Sequence, residues 1–165
     1  MAMTKRLLDL AGIGGDRLHV DWVSSADAKR FTEIVTEATE KVRACGPFRP
    51  SDHELQLQAA EMVVTGEVMR WLVGKQHNVT TTGDVYGRRW EEEKFQQVLD
   101  DTMVREYQKS LIYLAIKSGI TSVRPVADQT GIEVLRVSYL LADLEQQKLV
   151  EFKGMEESIP VFAAL

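Results

Sequence analysis

SVRPVADQTGIEVLRVSYLLADL, residues 122–144, carries the sharpest local pattern in the chain. Residues 122–130 read as a short helix with Val126 and Ala127 inward. Gly131 supplies a tight turn, and a longer helix begins at Ile132 and runs to about Lys148. Ala127, Gly131, Ile132, Val137, Leu141 and Leu144 take the small, turn and buried positions of a helix, tight turn, helix unit. Downstream, Leu149-Val150-Glu151-Phe152 and Ile159-Pro160-Val161-Phe162 read as two strands, separated by Lys153-Gly154 and a turn with Glu156 and Glu157. Upstream, 91–118 reads as a long helix with Phe95, Val98, Leu99, Met103, Tyr107, Leu111, Leu114 and Ala115 on its inner side.

Residues 91–165 therefore resemble a winged-helix domain. Such a fold does not settle what the domain binds. Reading DNA requires Arg, Lys, Asn, Gln or Ser on the early turns of the second helix, and cations for phosphates. The outward positions here are Glu133, Val134, Leu135, Arg136, Tyr139 and Leu140, with Asp143 beyond. The two glutamates of the wing turn repel phosphate, and Arg124, Arg136, Lys148 and Lys153 alone offset them. Val134, Leu135, Tyr139 and Leu140 are better suited to contact with protein. A DNA-binding regulator using Arg124 and Arg136 is the disfavoured alternative.

Charge points the same way. Across 165 residues, 20 Lys and Arg face 25 Asp and Glu, a formal charge of −5. Residues 1–47 carry 7 basic and 7 acidic side chains, 48–100 carry 6 and 9, and 101–165 carry 7 and 9. No segment has the cationic excess of bulk nucleic-acid binding. The 44% apolar and 27% charged contents are those of a globular chain. No apolar run reaches the roughly 18 residues of a membrane span, and the opening residues are not a secretory signal, so a cytoplasmic protein is expected.

Gly46-Pro47-Phe48-Arg49-Pro50-Ser51 is the strongest punctuation, and a domain boundary is placed there. The expected division is 1–47, 48–90 and 91–165. The middle segment opens with a helix over about 52–73, whose Leu55, Ala59, Met62, Gly66, Met69 and Val73 form a seam of apolar and small residues. Gly66 costs that helix about 1 kcal/mol against alanine, which points to close approach of another backbone. Leu57, Val64, Val68, Trp71 and Leu72 lie outside the seam, implying that a second face is covered. A polar stretch, 77–87, separates this helix from the next, making a helical hairpin.

The first segment reads helix, strand, helix. Residues 5–11 form a short helix with Thr4 as cap and Gly12 as left-handed stop. Leu18, Val20 and Trp22 alternate with His19 and Asp21, the period of a strand over 18–23. Ser24 and Ser25 are placed to cap a second helix, with Phe31, Val35, Ala38 and Val42 as its buried stripe. A lone strand needs a partner for its backbone groups. Leu18, Val20 and Trp22, with the Ala59 and Gly66 seam, are therefore candidate interface residues, and a homodimer is expected. The expected fold class is mainly α-helical α+β.

The residues Leu7-Leu8-Asp9-Leu10-Ala11-Gly12-Ile13, Asp16-Arg17-Leu18, Asp21-Trp22-Val23-Ser24-Ser25-Ala26, Phe31-Thr32-Glu33-Ile34-Val35 and Gly46-Pro47 form a recognisable series. Over residues 1–47 it resembles the C-terminal end of the delta subunit of methyl-viologen-reducing hydrogenase. That family's small iron-sulfur subunit links hydrogenase or other electron donors to heterodisulfide reductase. The resemblance implies association with hydrogenase or heterodisulfide-reductase-like subunits, and a parallel α/β parent sheet of which one strand remains. The family's cluster cysteines lie upstream of this tail, so the resemblance assigns no cluster ligand to this chain. An iron-sulfur cluster or flavin would belong to a partner subunit.

Other constellations are weaker. His19, His53 and His77 have no metal-ligand spacing, and Cys45 is the single cysteine, better read as small filler than as a reactive thiol. Gly12-Ile13-Gly14-Gly15 follows a helix and precedes the strand expected over 18–23, the reverse of a phosphate-binding loop, and reads as a helix stop. Gly87-Arg88-Arg89-Trp90 can hold an anion, although Arg88 and Arg89 are more simply paired with Glu91, Glu92 and Glu93 while Trp90 packs inward. No nucleophile and base stand together, so a catalytic role is not expected.

Overall fold

The computed structural model describes residues 2–165. Among these residues there are seven α-helices and one two-stranded antiparallel sheet, a mainly α-helical α+β chain. It divides into a first compact unit ending at Leu57 and a second, Gln58–Leu165. No helix of the described residues is long and apolar enough to cross a membrane.

In the first unit, α1 (Ala2–Leu10) begins before Thr4, which lies within the helix and does not cap it. Gly12 takes φ 69°, and the amides of Ile13 and Gly14 both return to the Leu8 carbonyl, closing the helix as its glycine implies. A single 3-10 turn, Gly15–Arg17, follows. Gly15 donates its amide to Asp9 Oδ1 at 2.6 Å, and a Cβ there would meet the Lys5 carbonyl at 2.9 Å, so the close approach requires glycine.

The expected strand over 18–23 is not formed. Leu18 is extended (φ −103°, ψ 112°), but the one sheet among the described residues pairs two C-terminal strands. Alternation produces an extended backbone; a strand also needs a second backbone to bond with, and this stretch has none. Helix α2 (Ala28–Ala44) starts at Asp27, whose carboxylate accepts from the Arg30 amide, and not at Ser24 or Ser25. Its expected buried stripe is also overturned. Phe31, Val35 and Val42 are exposed, and Ile34 is the buried residue of the helix.

The expected helix over 52–73 is two helices, α3 (Glu54–Thr65) and α4 (Glu67–His77). Gly66 breaks it with an extended backbone (φ −64°, ψ 145°), and a Cβ there would sit 2.9 Å from the Met62 carbonyl. The glycine thus serves a tight bend in its own chain. Ala59 is fully buried, so it is not open to a dimer seam, and the second face at Val64, Val68 and Trp71 is exposed.

Past a π-helical turn, Asn78–Thr82, the remaining helices fall within two residues of the expected ends: α5 (Glu92–Lys117), α6 (Val123–Thr130) and α7 (Val134–Gln146). Gly131 joins α6 to α7 in the left-handed conformation, φ 69°. Helix α5 is the spine of the second unit, packed against α4, α6, α7 and the second strand. Met103, Ile112, Val126, Val137, Leu140, Leu144 and Val150 form the innermost core. Strands β1 (Val150–Glu156) and β2 (Ile159–Ala164) pair antiparallel, with an irregularity between Phe152 and Gly154. Glu157 and Ser158 make the turn with φ of 48° and 68°. The Phe162 amide reaches the Thr121 carbonyl at 2.8 Å, tying the hairpin to the start of α6.

Candidate functional site

The first candidate is the bare apolar surface of the N-terminal unit. Arg17 organises it. Its Nε donates to the Ile13 carbonyl at 2.9 Å, and its terminal nitrogens donate to the carbonyls of Gly46 at 2.9 Å and Cys45 at 2.7 Å. Those last carbonyls close the C-terminus of α2, where a positive charge is favoured. The same guanidinium lies 5.7 Å from the Phe48 ring centroid, and Phe48 stacks on His53. Sequence reading misses this latch. Its only signal is the pairing of Asp16-Arg17 with a distant helix end at Gly46-Pro47.

At the other end of α2, Asp21 and Arg30 form an ion pair at 3.3 Å, which holds the extended stretch beside the first turn. Trp22 is 92% exposed and Phe31 56% exposed, with Val20, Val35 and Val42 also open, whereas Leu18 is half-buried. Val20 and Trp22 are thus available for contact, while Leu18 is less so.

On α7, Val134, Leu135 and Tyr139 are exposed as the sequence implies, and Leu135 and Tyr139 are neighbours one helical turn apart. Leu140 is different: at 1% exposure it belongs to the core and not to the outer face. It completes the buried series Val137, Leu140, Leu141, Leu144, whose i, i+3, i+4, i+7 spacing is the signal that identifies it. Arg136 is occupied, donating from Nε to Gln108 Oε1 at 3.0 Å, and Arg124 is exposed on α6. Asp143 is bound by Arg105 of α5, and that pairing raises the guanidinium pKa further above its ordinary value.

The third candidate is a cleft of about 1030 Å³ between the end of α4 and the start of α5, which brings Arg88 and Arg89 together. Asp84 holds its loop closed. One carboxylate oxygen accepts from the amides of Tyr86 and Arg88 at 2.9 Å, and the other from the Arg88 guanidinium at 2.7 Å. These bonds, the Arg88 amide first, lower the Asp84 pKa. Arg88 therefore pairs with Asp84 and not with the glutamates of α5, and Trp90 is exposed instead of packed inward. Gln76 donates to Glu92 at 2.8 Å.

A cluster of the kind the hydrogenase resemblance implies does not fit the residues of this chain. Cys45 is its single cysteine, half-buried at the end of α2, whereas such a cluster takes four ligands, mostly thiolates. Among the described residues, no three of His, Cys, Asp and Glu are placed to hold a metal ion together.

The comparisons with known proteins bear on the first unit. The family model described as methyl-viologen-reducing hydrogenase, delta subunit, matches residues 1–46. The vhu iron-sulfur subunit of the F420-non-reducing hydrogenase of Methanococcus voltae is 51% identical over 45 residues, 27% of this chain and 34% of that protein. Its counterparts in Methanococcus maripaludis and Methanocaldococcus jannaschii are 51% and 46% identical over 43 residues, each covering 26% of this chain and 32% of their own length. No solved structure matches the chain. The chain spans about a third of the length of these curated relatives. The segment that carries α1, the Arg17 latch and α2 is therefore, over residues 1–46, similar to the hydrogenase delta subunit.

Proposed function

We propose that this chain is a non-catalytic subunit or adaptor of a hydrogenase-linked, heterodisulfide-reductase-like electron-transfer complex, acting through protein–protein contact in the cytoplasm. Any iron-sulfur cluster or flavin is then carried by a partner subunit. One observation carries the reading: the bare side chains Trp22, Phe31, Val35 and Val42 lie inside the segment that matches the hydrogenase subunit. Burying a large apolar side chain is worth about 1.5–3 kcal/mol, so these four residues are the anchors such a contact would use, with the rest of the interface supplied around them.

A second reading, a DNA-binding regulator, draws support from the order α6, Gly131, α7 and hairpin, which resembles that of a winged helix. Against it stand the acidic hairpin turn, the engagement of Arg136 by Gln108, and an apolar outer face on α7.

The test is co-expression of the tagged full chain with the hydrogenase and heterodisulfide-reductase-like subunits of the same genome, followed by gel filtration. Co-elution that is lost in a Trp22→Ala, Phe31→Ala variant supports the adaptor. Separate elution, combined with tight and steeply salt-dependent binding to duplex DNA, overturns it in favour of the regulator. A Leu135→Asp, Tyr139→Asp variant asks the same of the α7 face.

A further inference from the structure

We infer that the cleft between α4 and α5 binds a small anion bearing a flat ring, of the nucleoside phosphate class. This is independent of the adaptor reading and uses residues outside the hydrogenase-like segment. Four cations line the cleft, Lys75, Arg88, Arg89 and Lys94, against two carboxylates, Asp84 and Glu91. A chain of charge −5 thus concentrates positive charge in one concave place.

Asp84 neutralises Arg88, and Glu91 offsets one of Lys75, Arg89 and Lys94, which leaves the lining with a net charge of +2. Both oxygens of Asp84 are taken up by Arg88 and by two backbone amides of its own loop. Glu92 and Glu93, next to Glu91 in sequence, line a different depression along α5 with Asp100 and Asp101. Lys75, Arg89 and Lys94 have no ion-pair partner among the described residues.

The loop is organised before any ligand arrives. The Gly83 amide reaches the Asn78 carbonyl at 2.7 Å, the Asp84 amide reaches the Arg88 carbonyl at 2.9 Å, and the Trp90 amide reaches the Val79 carbonyl at 3.0 Å. Gly83, at φ 86°, lets the returning chain pass so closely that a Cβ would meet the Arg88 carbonyl at 3.0 Å and Arg89 Cγ at 3.1 Å. This fold-back fixes the stem of Arg89 at the cleft.

Ring recognition rests on Trp90, which is 45% exposed, lines the cleft and has Lys94 Nζ 5.6 Å from its ring centroid. An indole beside cations takes a flat ring by stacking while the cations take the phosphate. The cleft's volume is that of a small-ligand site, and the acidic surroundings disfavour a long polyanion.

Isothermal titration of the full chain with ADP, inorganic phosphate, adenosine and an oligoglutamate peptide tests the inference. ADP is expected to bind in the range of about 0.1–1 mM, and phosphate and adenosine each about tenfold more weakly. Lys75→Ala with Arg89→Ala should weaken ADP about tenfold, and Trp90→Leu should reduce ADP to the level of phosphate. Circular dichroism confirms that these surface variants fold, and Lys5→Ala, in the first unit, serves as a charge control. Absence of ADP binding at millimolar concentration overturns the inference. So do equal affinities for ADP and phosphate, preference for the peptide, or ADP binding indifferent to both sets of substitutions.

Discussion

Helices α2 and α5 carry the same kind of sequence and meet opposite fates. Each places apolar residues at helical spacing, Phe31, Val35 and Val42 in one and Phe95, Leu99, Met103 and Tyr107 in the other. In α5 all four are buried, whereas in α2 all three are open and only Ile34 is covered. The difference lies in the company each keeps. Helix α5 is surrounded by α4, α6, α7 and β2, while α2 is joined to its unit at the Arg17 latch. An amphipathic period establishes that a helix has a face to cover; it does not say that the same chain supplies the cover.

The largest expected effect separates the two faces directly. Leu140→Asp places an unpaired carboxylate in the core of the second unit and should cost about 4 kcal/mol or more, unfolding the chain at modest urea. Phe31→Asp, on the bare face, should change stability by no more than about 0.5 kcal/mol. Urea titration of both variants decides it. A Phe31→Asp loss approaching that of Leu140→Asp would mean that α2 is covered after all, and the contrast would fail.

Arg17→Ala should be next, costing about 2–3 kcal/mol, because it removes charge-assisted bonds to two carbonyls at the end of α2 and one at Ile13. Hydrogen exchange locates the effect. Amides of α2 should lose protection while those of α5 keep theirs, which is the behaviour of two cooperative units and not one. Equal loss in both helices would erase the distinction between the regions.

The second unit is largely legible in sequence because its signals are local. Gly131 marks its turn, the period of α5 runs unbroken, and the hairpin follows directly. Leu140 is misplaced when grouped with its neighbours Glu133 to Arg136, yet the spacing from Val137 to Leu144 already puts it inside. The first unit is less legible because its decisive contacts are long-range. Arg17 reaches carbonyls 28 and 29 residues away, and no periodicity announces such a bond. Likewise the alternation of Leu18, Val20 and Trp22 reports an extended backbone but not whether a second strand lies beside it. Asp27 outcompetes Ser24 and Ser25 as cap because its carboxylate stands in reach of the Arg30 amide, one helical turn on. In the cleft, the Arg88 and Arg89 pair is visible in sequence, but the fold-back that turns Arg88 onto Asp84 depends on Gly83, a position with no chemistry of its own.

The smallest expected effect tests how completely the second unit excludes water. The Tyr107 hydroxyl is buried on α5 without a hydrogen-bond partner, and burial pushes its pKa up to about 12. Below pH 10 the phenol is neutral in the folded and unfolded chains alike and adds no slope. Between the ordinary value of 10.0 and about 12, the unfolded chain releases a proton that the folded chain keeps, so stability falls as pH rises through that window. Tyr107→Phe removes both the unpaired hydroxyl and the titration. At neutral pH it should raise stability by about 0.5–1 kcal/mol, since an unsatisfied buried group is lost at little change in shape. Above about pH 10 its advantage should widen, because only the wild-type chain carries this proton release. Urea titrations of the two proteins at about pH 8 and about pH 11, on either side of the unfolded phenol's titration, measure both quantities. A variant less stable than wild type at the lower pH would mean that the hydroxyl is bonded, through water, and that the core beneath α5 is not closed. A constant difference between the two pH values would place Tyr107 in contact with solvent, and the contrast with α2 would then be one of degree.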